Sequence, residues 1–171
     1  MKKNRNKNLY KINMILILSI MLTIFIGFFN NANALFHVQK TNNNQILNAS
    51  KEFIINLFHN VNSISNEFYQ NESTKLKHSG NNNITIGNKT DEYIDKLEKI
   101  TSLAKEYNIQ EEYKSVLNSF IISLQNEIES HIHFKNYILT GNYTENNLAE
   151  DLLSKALIYE TEAIKKFNQL E

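Results

Sequence analysis

No proline occurs anywhere in this 171-residue chain, and only four glycines do. These are the two residues that most often stop a helix or turn a chain. Their scarcity leaves long helices as the element this sequence builds most readily. Composition also removes several chemistries. Without cysteine there is no disulfide framework, thiolate metal centre, redox dithiol or cysteine nucleophile. Basic and acidic residues balance at 18 each, so the chain lacks the surplus of positive charge that nucleic-acid binding demands.

The charge is unevenly placed. Residues 1–13 hold Lys2, Lys3, Arg5, Lys7 and Lys11 and no acid, and Met14 to Phe29 then run without a charge. A basic flank before an apolar run directs the rest of a chain across a membrane. Two readings of residues 1–34 stand: a signal peptide cleaved near Ala34, where Ala32 and Ala34 supply the small-x-small pattern, or a retained single-pass anchor. Both place residues 35–171 outside the cytoplasm, with the membrane as a partner of the uncleaved form. Without the five leader cations the rest carries 13 lysines, no arginine and 18 acids, a net charge of about −5. Such a surface repels nucleic acid and anionic lipid. Five Asn-x-Ser/Thr triplets, at Asn48, Asn71, Asn83, Asn88 and Asn142, are candidate glycan acceptors.

After a linker at 35–43, apolar spacing predicts four helices in 44–171. The first spans about 44–70, with room to fray on to 78, and has Ile46, Ser50, Phe53, Ile54, Leu57, Val61, Ile64 and Phe68 as its stripe. Residues 71–90 break the period and read as a long surface loop holding three of the sequons. Thr90 with Asp91 and Glu92 reads as the next helix start, a capping hydroxyl followed by acids. Tyr93, Leu97, Ile100, Ala104 and Tyr107 form that helix's seam. The third stripe is Tyr113, Leu117, Phe120, Ile121, Leu124, Ile128, Ile132 and Ile138, ending at Gly141. The fourth is Leu148, Leu152, Ala156, Tyr159, Ala163, Phe167 and Leu170. The tyrosines read as core residues with hydroxyls at the rim, and Ile55 and Ile122 fall off their stripes. Short connections force antiparallel neighbours, so the expected fold is all-α, an antiparallel up-down four-helix bundle behind the apolar leader.

A di-iron site in such a bundle needs Glu-x-x-His on two helices. No glutamate stands three residues before any histidine here, and no zinc, hydrolase or phosphate-loop motif appears. The expectation is therefore no catalysis, no metal and no cofactor. The unusual feature lies in the third helix. Glu127, His131 and Lys135 are spaced i, i+4, i+8, with His131 and Lys135 inside the apolar stripe and Glu127 at its edge. Glu160 also falls on an apolar face. Charged groups there are costly unless paired or wet. The row reads either as an intrahelical ladder whose lysine snorkels to water or as a polar pocket binding a small anionic ligand.

The stretch Asn136-Tyr137-Ile138-Leu139-Thr140-Gly141-Asn142-Tyr143 resembles a motif of the extracellular four-helix sensor domains of bacterial histidine kinases and chemoreceptors, Arg-x-Tyr-Leu-Leu-Thr-Gly-Asp before a turn. Tyr137, Leu139, Thr140 and Gly141 match. Lys135 stands for the Arg and Asn142 for the Asp. The resemblance implies an extracellular helical bundle acting as an input module. From the residues themselves, the expected function is a non-enzymatic interaction module at the cell surface or secreted, binding a protein partner or a second copy. The alternative is an anion-binding domain using Glu127, His131 and Lys135.

Overall fold

The computed structural model describes residues 44–75 and 83–170, with the backbone alone at 44–47 and 71–75. Within a compact unit spanning Thr41–Glu171 lie four helices: α1 (Asn44–Lys75), α2 (Asn83–Glu106), α3 (Glu111–Thr140) and α4 (Tyr143–Asn168). No strand occurs among the described residues, and no helix there is long and apolar enough to cross a membrane. The leader, the linker and the Ile46 side chain of the first stripe lie outside the described residues.

The predicted loop at 71–90 is mostly helix. α1 continues to Lys75 and α2 starts at Asn83, so Thr90 is not a cap. It is buried in mid-helix, and its hydroxyl donates back to the Ile86 carbonyl at 2.8 Å. That internal partner lets a hydroxyl residue sit inside a helix without breaking it.

The other ends follow their local chemistry. Glu111 and Glu112 occupy the first turn of α3, where carboxylates meet the positive end of the helix. Gly141 closes α3 at φ 72°, donating its N–H to the Tyr137 carbonyl at 2.8 Å. Only a residue without a Cβ takes that conformation freely. Asn142 then caps α4, its side-chain oxygen accepting from the Thr144 N–H at 3.0 Å. Two residues thus reverse the chain.

Cross-helix contacts pack the helices against one another. Ala49 and Ser50 of α1 meet Tyr107 and Gln110 beyond the end of α2, whereas Ser65 meets Tyr93 near its middle. Tyr93 and Asp91 of α2 meet Glu127 and Lys135 of α3. Between α3 and α4, Ser123 donates to the Ala156 carbonyl and Ser130 to the Ala149 carbonyl, both at 2.7 Å. Moving seven residues along α3 and seven back along α4 repeats the same bond. Ala149, Ala156 and Ala163 recur at that interval and are all buried. A hydroxyl reaching a neighbouring backbone carbonyl past an alanine requires the two helices to lie close together.

This seam corrects two predicted stripes. On α3, Val116, Ser119, Ser123 and Ser130 are buried, while Ile121 and Ile128 are half-buried and Ile132 is exposed. On α4, Ala149 and Leu153 face inward, leaving Leu148 and Leu170 exposed and Leu152 and Tyr159 half-buried. Phe120 is central to one half of the core, its ring set edge-on to Phe58 at 4.6 Å. Phe58 also meets Phe167 of α4 at 6.3 Å, and Phe53 stacks on Tyr107 at 3.5 Å.

Candidate functional site

All four helices contribute to one polar layer. α3 places Glu127 and His131 one turn apart on its inner side, and His131 is only 1% exposed. His131 Nδ1 lies 2.9 Å from the Glu127 backbone carbonyl. A carbonyl only accepts, so Nδ1 carries the proton and Nε2 is left with its lone pair. Nε2 faces the Tyr69 hydroxyl of α1 at 3.4 Å, a long contact in which the phenol donates. From α2, the Tyr93 hydroxyl donates to Glu127 Oε1 at 2.5 Å and lies 2.9 Å from Ser65 Oγ of α1. Phe68 lies across Tyr93 at 4.5 Å and meets His131 edge-on at 5.5 Å. α4 supplies Glu160, a half-buried acid within electrostatic reach of Glu127.

Burial sets the charge of this layer. It pushes His131 down to about 4, with the bond to the Glu127 carbonyl opposing, so the imidazole is neutral at pH 7. It raises Glu127 despite the Tyr93 hydrogen bond. It pushes Glu160 up to about 8, with Glu127 adding to the rise. The Tyr69 and Tyr93 phenols are held well above their ordinary range by burial and by the charge of Glu127. At neutral pH, Glu160 is therefore mostly protonated.

The sequence-selected residues are divided. Glu127 and His131 share the layer, whereas Lys135 reaches Asp91 of α2, with Nζ 2.6 Å from both carboxylate oxygens. The partners Ser65, Tyr69 and Tyr93 were not legible from α3 alone. Tyr93 also departs from the expectation for the tyrosines, since its hydroxyl ends on an interior carboxylate instead of at the rim. His133 points elsewhere, to Glu145 at 2.8 Å, a contact that lowers the Glu145 carboxyl. Among the described residues no group of three or more acids and histidines is placed to hold a metal ion. Of the sequon asparagines, Asn48, Asn83, Asn88 and Asn142 are exposed, and the Asn71 side chain lies outside the described residues.

Comparison with protein-family models, curated proteins and solved structures finds no match to this chain.

The layer makes stability depend on pH with a definite sign. Folded Glu160 keeps a proton that the unfolded chain loses above about 4.5, so stability falls as pH rises from there to about 8. Folded His131 refuses a proton that the unfolded chain takes below 6.5, so stability also falls as pH drops from 6.5 to about 4. Above 6.5 only the carboxyl contribution persists. Urea melts of the full chain are expected to weaken from pH 6.5 to 8 by at most about 1.4 kcal/mol per unit. Glu160→Gln should flatten that slope. An equal slope in the variant would assign it to other groups.

Proposed function

We propose that this chain is a non-enzymatic helical interaction module acting outside the cytoplasm. In this reading its helices close as an up-down bundle behind the apolar leader. The observation that carries it is the apolar surface left on the α3–α4 hairpin. Ile122, Ile132 and Leu139 on α3 and Leu148 and Ile158 on α4 are all exposed, Ile158 by 63%. The serine–alanine register brings Ile122 level with Ile158, and Ile132 level with Leu148 about 15 Å away. Single exposed apolar residues need no explanation, but five on one hairpin offer area for a second copy or a protein partner. Glycans on the exposed sequon asparagines would add to that contact surface.

Light scattering and pull-down on the full chain test this reading. The expected result is self-association or a captured partner, lost when Ile122 and Ile158 are both changed to Glu. A chain that stays monomeric and captures nothing contradicts it.

A second reading, a small-molecule domain taking an anion between His131 and Lys135, draws on the polar layer and on the resemblance of the Tyr137–Gly141 turn to sensor domains. Charge weighs against it. Lys135 is already neutralised by Asp91, and neutral His131 offers no positive charge. Its test is loss of ligand binding in His131→Ala and Lys135→Ala while the fold survives.

A further inference from the structure

We propose that the groove between α2 and α3 is a docking site for a basic amphipathic helix of a protein partner. The proposal rests on the reading of the chain as an interaction module and gives that module a face of its own. Two contacts fix the register of the groove. Lys135 Nζ reaches both Asp91 oxygens at 2.6 Å. One turn on along α3 and one turn back along α2, Leu139 lies against the backbone of Gly87, its Cδ2 3.6 Å from where a Cβ would stand. Stepping from these contacts by helical turns gives each wall. On α3, Ile121, Ile128, Ile132 and Leu139 share the stripe of Lys135. Ile121 and Ile128 are half-buried, whereas Ile132 and Leu139 are exposed by 42% and 48%. Ile122 follows Ile121 in sequence and so points about 100° round the helix from this row. On α2, Ile84, Asp95 and Glu98 share the stripe of Asp91, and all three are exposed.

The same register sets Asp95 across from Ile132 and Glu98 across from Ile128, so acids run beside an apolar ridge. Asp91 is neutralised by Lys135. No hydrogen bond or ion pair to a described residue holds Asp95 or Glu98, and Lys99, one turn beyond Asp95, forms none with it. Lys89 and Lys96 of the same helix are taken by Glu92 and Glu67. An apolar ridge with uncompensated acids along one side matches a helix that carries apolar residues at i, i+3 or i+4 and i+7 with lysine or arginine beside them. From Ile121 to Leu139 the ridge runs about 27 Å, room for about five turns of such a helix. A second copy is the poorer occupant. Residues 35–171 hold 18 acids against 13 lysines, and two facing grooves would bring their acid rows together.

A fluorescent helical peptide of about five turns, leucine on one face and lysine on the other, tests the site when titrated against the full chain at low salt. The same peptide with glutamate in place of lysine is its control. The basic peptide is expected to bind, the acidic one not, and added salt should weaken the complex. Asp95→Asn with Glu98→Gln should weaken binding about tenfold and reduce its salt dependence. Ile132→Ser, which leaves the charge unchanged, should also cost about tenfold. All three positions are exposed, so these variants should fold. Glu52→Gln with Glu129→Gln, at two exposed acids elsewhere, and Ile158→Ser should leave the affinity unchanged. Equal binding of the two peptides, no binding of either, or groove variants no weaker than these controls would overturn the proposal. Partner capture or self-association that depends on Ile122 and Ile158 while the basic peptide fails to bind would refute the groove and leave the interaction module standing.

Discussion

Phe120→Ala is expected to lose about 3–5 kcal/mol of stability, the cost of emptying a fully buried aromatic site. Phe120 is 1% exposed and sits edge-on to Phe58, which in turn reaches Phe167. The change therefore removes the ring contact between α3 and α1 directly and leaves Phe58 without its edge-on partner. For a domain of this size the loss corresponds to roughly 12–20 °C in melting temperature. Calorimetry of the full chain checks it, with Gln125→Ala, at an exposed site on the same helix, expected to shift the midpoint little. A loss below 1 kcal/mol would mean that this half of the core is not packed as described.

The second large effect belongs to the α3–α4 seam. Ala156→Leu is expected to destabilise by about 3 kcal/mol, because overpacking forces well-fitted elements apart. Ala156 is 2% exposed, and its carbonyl receives the Ser123 hydroxyl at 2.7 Å. A leucine there cannot be housed without separating the helices and breaking that bond. Ser123→Ala, which removes the bond but not the closeness, is expected to cost only about 1 kcal/mol. Denaturant melts of the two variants compare them directly. Equal losses would indicate that the hydroxyl, not the close approach, holds the hairpin together.

How much of the structure the sequence disclosed depends on how local each signal was. The reversal at Gly141 and Asn142 is written in two residues and was legible. So were the acids opening α3, the inward angle of His131 and the place of Glu127 at the edge of the stripe, since these depend on one helix alone. The early start of α2, inside the predicted loop, was hidden. Asparagine, serine and glycine dominate 71–90, and nothing local reveals that Thr90 would satisfy its hydroxyl on its own helix. The stripes of α3 and α4 came out rotated because the true contact is made of serine and alanine, which carry little hydrophobic signal. The partners of the polar layer depend on register across helices. Lys135 illustrates the point: its angle is that of a core residue, yet the length of its side chain delivers the charge to Asp91.

Protonation of the polar layer underlies the pH dependence of stability. Carbon-13 and nitrogen-15 NMR titration of glutamate and histidine side chains in the full chain measures it residue by residue. His131 is expected to keep its proton on Nδ1 and to titrate near pH 4, and Glu160 to titrate near pH 8. Midpoints at the ordinary 6.5 for His131 and 4.5 for Glu160 would contradict a buried polar layer, because both groups would then stand in water.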